Sequence, residues 1–471
     1  MKTECKVNQL EFHGLGRRNI VGKFDGGKIT SDAGGVLLRE TEKRTHILER
    51  LSHCFVDHRD PERIEHTLGS LIKQRVFGLA LGYEDLNDHD ALRQDPLLAL
   101  LSDKQDLLGV DRVRKQDKGR ALAGKSTLNR LELTPTDADA RSRYKKIVAN
   151  PEAMDALLVD LFLASYPSPP DEIILDVDAT DDPLHGHQEG RFFHGYYRHY
   201  CYLPLYIFAG EHLLCARLRT ANQDGAAGTI DEVSRIVARL RLQWPDVRII
   251  LRGDSGFCRD NLMDWCEHNQ VDYILGLAKN NRLKKIIKDE MAQAKTAYEE
   301  SEKAARVFKD FRYRTLKSWS CERRVVGKAE HLGKGENPRF VVSSLSSSQM
   351  DARRLYEDLY CARGEMENRI KEQQLGLFAD RTSTHEMQSN QLRLYFSSFA
   401  YVLMQTLRRL GLKGTAMEKA QATTIRLKLF KIGAQIRVTV RKVWLSFSDS
   451  YPYADLFQQV LNNLLKIPLR C

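Results

Sequence analysis

The order of strand and helix patterns in the middle of the sequence predicts a mixed α/β protein. A short buried run comes first, and two further apolar runs follow around a tight turn at Gly210 and Glu211. Two more strand patterns then alternate with helical patterns. The strand patterns lie at residues 173–178, 202–208, 213–218, 247–251 and 273–277. The order β, β, β, α, β, α, β is that of a ribonuclease H-like mixed sheet, which we expect to form the core.

The rest of the chain surrounds this core with helical regions and one β-rich insertion. The proline-rich loop SYPSPPDE marks the end of the first region, and strand-like pieces between Val307 and Leu345 mark the insertion. We expect a helical N-terminal region, two parts of the mixed-sheet core separated by the β-rich insertion, and a mostly α C-terminal region. Their bounds are 1–165, 170–285, 286–347, 348–400 and 401–471.

Composition and cysteine usage indicate a globular protein of a reducing compartment. The 471 residues are 42% hydrophobic and 29% charged, so the chain can bury large cores. Its nine cysteines contain no CxxC pair, which argues against a disulfide scaffold or a zinc ribbon. No apolar leader opens the chain, and the longest apolar run, 394–407, is shorter than the roughly 20 residues of a spanning helix. We expect a cytoplasmic protein without a membrane partner.

Positive charge is concentrated near the C-terminus. The net charge is +10, and residues 401–445 contain ten basic residues against one acid, Glu418. A polyanion such as DNA is a natural partner for this excess, because neutralised phosphates release counterions. Arg426, Lys428 and Arg441 of this segment are therefore candidate DNA contacts. The alternative is a solvated basic helix face.

Two aspartates close strands that a mixed sheet could bring together. Asp178 ends the first strand pattern and Asp254 ends a later one. In open α/β sheets, residues at the carboxyl ends of strands project into the functional crevice, so these side chains could be neighbours. The alternative is that each aspartate is a turn or cap residue.

A third acid, Glu367, lies on the helix expected at residues 348–374. At 100° per residue, Arg363, Glu367 and Lys371 share one arc beside an apolar arc that packs. The cations could hold a nucleic-acid backbone without reading its sequence, or the face could be only a ladder of i, i+4 ion pairs. Three converging carboxylates would suit Mg²⁺, and a pair of such ions activates the nucleophile and stabilises the leaving oxygen in phosphoryl transfer.

These motifs resemble the DDE transposases of bacterial insertion sequences, in the group with a β-rich insertion before the catalytic glutamate. LDVDATDDPLHGHQEG resembles the first-aspartate motif, LRGDSGF the second, and YCARGEMENRIK the third. The resemblance implies that Asp178, Asp254 and Glu367 are the catalytic metal ligands, and that Tyr360 and Arg363 contact the DNA backbone. It also implies two Mg²⁺ ions, for which Mn²⁺ can substitute, and a nucleoid-associated bacterial enzyme.

The resemblance further implies the reaction and its partners. The enzyme would cut double-stranded DNA at the terminal inverted repeats of the element and join the freed 3′ ends to target DNA, acting as a homodimer on DNA. Whether the reaction passes through a DNA hairpin is not decided by the sequence. Trp319, in the insertion, is a candidate for stacking on an extruded base, with a core position as the alternative.

Two positions depart from or complicate the family pattern. The family often places a lysine seven residues after the glutamate, where this chain has Gln374, and Lys371 could substitute for it one turn earlier. Asp176 lies two residues before Asp178 on the same side of the strand. Asp178 is preferred because Asp178-Ala179-Thr180 resembles the family's form.

The stretch GRALAGKSTLNR, residues 119–130, matches a phosphate-binding P-loop pattern. The preceding DRVRKQDK is charged and is not the buried strand that a P-loop needs, so an ATPase is not expected. The stretch instead predicts a helix start with Ser126 or Thr127 as N-cap. Lys125 and Arg130 would then be candidate contacts to element-end DNA, with plain packing as the alternative.

Two other functions remain open from the residues alone. One is a DNA-binding regulator whose acids are structural, and the other is a structure-specific nuclease with a ribonuclease H-like fold. Cleavage of end DNA with Mg²⁺ would separate the enzyme from the regulator.

Overall fold

The computed structural model describes residues 9–469, and the N-terminal region combines helices with short strands. Seven helices and five strands precede the central sheet. The helices are α1 (Val36–Thr45), α2 (Ile47–Ser52), α3 (Leu68–Leu81), α4 (Asp88–Leu92), α5 (Pro96–Leu101), α6 (Lys125–Glu132) and α7 (Pro151–Leu163). The strands are β1 (Leu10–Leu15), β2 (Arg18–Gly22), β3 (Ile29–Thr30), β4 (Phe55–Asp57) and β5 (Ile147–Ala149).

The N-terminal region, which the sequence predicts to be helical, also contains short strands. Strands β1 and β2 form an exposed hairpin, and β4 pairs with β5, which lies about 90 residues later in the chain. Strands of two to six residues, several of them paired with distant segments, are too short for a clear alternating pattern, so local periodicity does not reveal them.

The central sheet has nine strands in mixed orientation. Counted from one edge, its first five strands have the order β11-β10-β6-β12-β13. Strands β10 and β11 are antiparallel to their neighbours, whereas β6, β12 and β13 are mutually parallel. The elements of this part are β6 (Glu172–Ala179), β10 (Leu205–Ala209), β11 (His212–Arg217), α8 (Thr229–Gln243), β12 (Arg248–Gly253), α9 (Asp260–His268) and β13 (Asp272–Leu277). Between β6 and β10, a separate three-stranded sheet is formed by β7 (Asp182–Pro183), β8 (Phe192–His194) and β9 (His199–Tyr202).

The β-rich insertion continues the central sheet. Two helices, α10 (Asn281–Ile286) and α11 (Lys288–Ser301), come first. The strands that follow are β14 (Ala305–Tyr313), β15 (Arg323–Leu332), β16 (Gly335–Glu336) and β17 (Arg339–Ser343). They pair in antiparallel order, and β17 pairs with β13, so the predicted β-rich insertion widens the central sheet.

The helical segment that carries Glu367 is irregular. It begins with α12 (Ala352–Arg354), passes through a π-helical stretch, Leu355–Tyr360, and a 3₁₀ turn, Cys361–Arg363, and continues as α13 (Gly364–Lys371). A second π-helical stretch, Glu372–Gly376, ends the segment. The single regular helix predicted over 348–374 is therefore incorrect in detail, since π turns hold more residues than α turns.

Helix α14 (Met387–Gly411) is 25 residues long and packs against α1, α3 and β11. After it come α15 (Ala422–Ile425), a π-helical turn at Arg426–Phe430, β18 (Ala434–Val438), β19 (Val443–Phe447) and α16 (Ala454–Leu465). Strands β18 and β19 form a hairpin within the region that the sequence predicts to be mostly α-helical, and β3 adds a third strand. Neither α14 nor any other helix between residues 9 and 469 is a candidate for a membrane span.

The two faces of the sheet bury different layers. The side chains of Leu175, Ile207 and Leu251 face a core shared with α8 and α9. On the opposite face, Ile174 packs with the apolar side of the segment that carries Glu367, and Tyr206 and Phe208 pack with α14. The sheet therefore holds the glutamate segment on the face to which Asp176 and Asp178 also point, because alternate residues of a strand share one face.

Candidate active site

Asp178 and Asp254 lie side by side at the carboxyl ends of two parallel strands. In the β6–β12 pair, Val177 is opposite Gly253, and each aspartate is the next residue along its strand. The shared direction of the two strands brings both carboxylates to the same edge of the sheet.

The Asp178 carboxylate is half-buried and bound on both oxygens. Oδ1 accepts a hydrogen bond from the Ala179 N–H at 2.9 Å, and Oδ2 accepts one from Arg363 Nη1 at 3.3 Å. Burial, together with the charges of Asp254 and Glu367, raises the pKa of Asp178 to about 6 despite the opposing charge of Arg363. The group therefore lies in a site crowded with negative charge.

Asp254 begins a short 3₁₀ turn, Ser255–Phe257. Its Oδ1 accepts a hydrogen bond from the Gly256 N–H at 2.8 Å. The cap role considered for this residue is thus present, and it fixes the direction of the carboxyl group at the end of β12.

Arg363 joins the first aspartate to the glutamate. Its Nη2 donates to Glu367 Oε1 at 2.9 Å while Nη1 donates to Asp178. The Glu367 side chain is 49% exposed, so one of its sides remains open to solvent. Arg363 and Glu367 form one ion pair of the i, i+4 ladder considered above. Arg363 also pairs with Asp178 of the sheet, so the contact is more than a ladder along one helix.

Tyr360 reaches the same place from the π-helical stretch. A β-carbon placed on Gly276 of β13 would lie 2.6 Å from the Tyr360 hydroxyl oxygen and 2.9 Å from the Ser255 nitrogen. Burial raises the pKa of Tyr360. Only glycine at position 276 lets the tyrosine and the Asp254 turn approach the sheet this closely.

Asp176 has a different environment from Asp178. It is 1% exposed and is bound by Arg252, whose Nη2 donates to Asp176 Oδ2 at 2.8 Å. The same guanidinium donates to the Leu359 carbonyl oxygen. This buried pair fastens the glutamate segment to the sheet, and it leaves Asp178 as the carboxylate nearer the edge.

Arg252 and Gly276 are the site residues that the sequence analysis missed. Arg252 lies directly before the Gly253-Asp254 pair, and its side of β12 is that of Asp176 on β6. Knowledge of the β6–β12 register, in which Arg252 is opposite Asp176, would have revealed the ion pair between them. For Gly276, a glycine inside a strand pattern is a signal of close backbone approach.

The donor chemistry of the site suits a hard divalent cation. Asp178, Asp254 and Glu367 offer carboxylate oxygens. The pKa of Asp178 is raised first by burial and then by the charges of Asp254 and Glu367, and a bound cation would favour its ionised form. Within residues 9–469, no three acidic, histidine or cysteine side chains are gathered closely enough to hold an ion as they stand. Arg363 lies between two of these carboxylates, so a shared ion requires its guanidinium to move.

The sequence profile of the transposase DDE domain group 1 family matches residues 12–469. The chain belongs to this family. The protein is thus a DDE transposase, a metal-dependent enzyme of DNA strand cleavage and transfer. No curated protein sequence matches the transposase. A solved structure similar to it is the cryo-EM structure of the piggyBac transposase synaptic complex with hairpin DNA, with a TM-score of 0.42, 11% identity, and coverage of 94% of this chain and 83% of that chain.

Two side chains of the transposase that the sequence proposed as DNA contacts are buried. Trp319 is 5% exposed and packs in the core against Tyr313, with 5.8 Å between ring centres. Arg426 is 8% exposed and donates to the carbonyl oxygens of Ala80 and Gly376. These placements correct both expectations, since a stacking platform or a phosphate contact needs an accessible side chain.

The other proposed contacts lie at the surface. Lys371 of the transposase is exposed, and Gln374, at the family lysine position, donates to the Asp181 carbonyl oxygen at 3.1 Å. Lys428 and Arg441 are also exposed.

Lys125 and Arg130 lie on α6, which begins differently from the prediction. Its N-cap is Gly124, not Ser126 or Thr127, and Asp90 Oδ1 accepts the hydrogen bond of the Lys125 N–H at 3.0 Å. A carboxylate from a neighbouring helix thus satisfies the helix start.

Proposed function

We propose that the transposase binds the terminal inverted repeats of an insertion sequence, cleaves the element ends and transfers the 3′ ends to target DNA. The observation that carries this proposal is the register of β6 and β12, which puts Asp178 beside Asp254. Arg363 then links Asp178 to Glu367. We therefore assign these three acids, which are separated by long intervals in the sequence, to one catalytic edge of the sheet.

The architecture of this edge supports a ribonuclease H-like core. The first strand, β6, is central, two antiparallel strands extend the sheet on one side, and two parallel strands extend it on the other. We assign Asp178 to the first strand of that core, Asp254 to the end of the fourth, and Glu367 to the helical segment after the insertion.

Asp178, Asp254 and Glu367 would hold two Mg²⁺ ions, for which Mn²⁺ can substitute. Such ions supply activation of the attacking oxygen and stabilisation of the leaving oxygen. The chain's own residues bind and orient the DNA. Arg363 and Tyr360 are placed to hold the backbone near the reacting phosphate, and Lys371 lies exposed one turn beyond Glu367.

Other exposed cations extend the DNA contacts away from the reacting phosphate. Lys125, Arg130, Lys428 and Arg441 are assigned to the duplex because they are exposed. Joining two element ends to one target needs both ends in one complex, so we propose a homodimer on DNA.

The test uses labelled end DNA, obtained from inverted repeats that flank the gene, and compares the wild type with Asp254→Asn. We expect the wild type to nick the end with Mg²⁺ or Mn²⁺, and the variant to bind this DNA equally well without cutting it. Asp289→Asn, on the exposed face of α11, removes the same charge away from the site and should retain cleavage.

Two results would contradict the proposal. A wild type that cuts nothing with either metal would exclude the reaction. Equal cleavage of a DNA with a scrambled end sequence would favour a structure-specific nuclease instead.

A further inference from the structure

We propose that α6 and the loop at residues 143–145 form a second DNA-binding surface, which holds the duplex at a distance from the reacting phosphate. The inference rests on the proposed function for the identity of the DNA. Its new content is the groove itself and the roles of Arg143, Tyr144 and Lys145.

The surface is an open groove of about 600 Å³. Its walls come from four separate parts of the chain: residues 85–87, α6, the loop at 143–145, and α14 with the segment that leads into it. The polar and charged side chains that line it are Asp85, Asn87, Lys125, Ser126, Asn129, Arg130, Tyr144, Lys145, Ser383 and Arg393. Only one of these is an acid.

Tyr144 holds two guanidinium groups at the edge of the groove. The Arg130 and Arg143 guanidinium carbons lie 5.1 Å and 4.9 Å from the centre of its ring. The ring is 55% exposed, so both cations remain accessible to a ligand. Two like charges on one ring repel each other, and a polyanion would relieve that repulsion while the ring keeps them in place.

The positive charge of this edge is not neutralised by the protein. None of the ion pairs formed within residues 9–469 includes Arg130, Arg143 or Lys145. The one acid that lines the groove, Asp85, is already paired with Arg381 at 3.0 Å, so it does not neutralise these cations.

The remaining cations of the groove are already paired. Lys125 lies 3.6 Å from Asp90, and Arg393 lies 2.7 Å from the buried Glu132. The groove thus presents an excess of positive charge, contributed by the three unpaired cations and available to phosphates.

A chain of hydrogen bonds connects the groove to the catalytic edge. Arg393 Nη1 donates to Ser383 Oγ at 2.7 Å, and the neighbouring Thr382 carbonyl accepts from Gln188 Nε2 at 3.1 Å. Gln188 belongs to the segment that follows Asp178, and Gln374 binds Asp181 of that segment from the glutamate side. Hydrogen bonds thus fasten the segments at the groove to the segments beside the catalytic edge. The three unpaired cations favour a polyanion such as DNA as the ligand.

The experiment measures binding of a random-sequence DNA duplex of about 30 base pairs, in EDTA, over a series of salt concentrations. Each phosphate contact contributes roughly 0.9 to the slope of log K against log salt. We expect the Arg143→Gln, Lys145→Gln double variant to lower the slope by about two and to weaken binding roughly 10- to 30-fold near 0.15 M salt. Tyr144→Ala should weaken binding roughly fivefold, whereas Tyr144→Phe should bind like the wild type because the ring is retained.

The matched control is the Lys288→Gln, Lys295→Gln double variant, which removes the same charge from α11. An unchanged slope in the 143/145 variant, or an equal loss in the control, would overturn the proposal. Loss of binding to an RNA duplex of the same length with DNA binding intact would also overturn it. Because no cleavage is measured, a transposase that fails to cut can still pass this test, so its failure and that of the proposed function are distinguishable.

Discussion

Arg363 occupies the position on which the chemistry of the site depends. Its guanidinium binds one oxygen each from Asp178 and Glu367, at 3.3 Å and 2.9 Å. A planar group with several fixed donors suits two carboxylates on different elements, and a lysine would not reproduce that geometry. A phosphate of bound DNA offers the same guanidinium another anionic partner, which would free the two acids.

We predict that Gly276→Ala impairs cleavage without unfolding the protein. The new β-carbon would meet the Tyr360 hydroxyl at 2.6 Å and the Ser255 nitrogen at 2.9 Å, so both the tyrosine and the Asp254 turn must shift. Displacements of about 1 Å at a reacting centre cost on the order of 100-fold in rate. The measurement is the single-turnover rate of end nicking, with thermal unfolding as the folding control.

A second substitution separates the two clashes. Tyr360→Phe in the Gly276→Ala background removes the hydroxyl but leaves the Ser255 backbone in place. We expect partial recovery of the rate relative to Gly276→Ala. Full activity of the Gly276→Ala variant would show that cleavage does not need the close approach of Tyr360 and Ser255 to position 276.

At the level of single residues, the acids could be predicted from the sequence more readily than the residues around them. Asp178 and Asp254 were recognisable because each ends a strand pattern, and the register of β6 and β12 makes them neighbours. The Asp176–Arg252 pair and the approach at Gly276 depend on which strands are adjacent. A single chain read along its length does not contain that information, although it does contain the residues.

Among the elements, the glutamate segment shows why local periodicity misplaces side chains. A regular helical wheel puts Tyr360, Arg363 and Glu367 on one narrow arc. The π-helical stretch Leu355–Tyr360 and the 3₁₀ turn after it change the rotation per residue, so Tyr360 approaches Gly276 while Arg363 reaches Asp178. Irregular turns of this kind are frequent at functional sites.

A buried histidine between α3 and α4 predicts that the free energy of unfolding depends on pH. His89 on α4 is completely buried, with its Nδ1 3.1 Å from Gln74 Nε2 of α3. Burial lowers the pKa of His89 to about 3. The unfolded chain binds a proton near pH 6.5 but the native state does not, so stability falls as the pH decreases from about 6.5 toward 3. Between pH 7.5 and 5.5 we expect a loss of about 1.4 kcal/mol from this group.

Chemical unfolding at pH 7.5 and 5.5 checks this expectation. His89→Gln should be less stable than the wild type at pH 7.5, because the packing is disturbed, but it should lose less stability between the two pH values. An equal loss in both proteins would mean that His89 is not responsible. His66, whose pKa burial also lowers to about 3, contributes to the remaining pH dependence of both proteins.

Across the whole molecule, Arg426 connects parts of the chain that are far apart in sequence. Its guanidinium donates to the carbonyl oxygens of Leu79 and Ala80 in α3 and of Gly376 at the end of the glutamate segment. The basic composition of residues 401–445 predicted DNA contacts, but composition does not distinguish a cation that binds phosphate from one that binds buried carbonyls. Arg408 is similar, since it pairs with Glu372 inside the protein.

We predict that Arg426→Met lowers the stability of the protein, whereas Lys428→Met weakens its binding to DNA. The first leaves buried carbonyl groups without a donor and should lower the free energy of unfolding by about 3 kcal/mol, with DNA affinity of the folded fraction unchanged. The second removes an exposed cation and should weaken DNA binding with little change in stability. Urea unfolding and salt-dependent DNA binding of both variants provide the measurements. Weaker DNA binding by folded Arg426→Met would contradict its internal role.

The three-stranded sheet β19-β18-β3 joins the beginning and the end of the chain. Ala434 pairs with Thr30, and Lys431 forms an ion pair with Asp32. During synthesis, the segment around residue 30 therefore waits for more than 400 further residues before its partner leaves the ribosome. A chain that stopped before β18 would contain Asp178, Asp254 and Glu367, but its β3 would lack the strand with which it pairs.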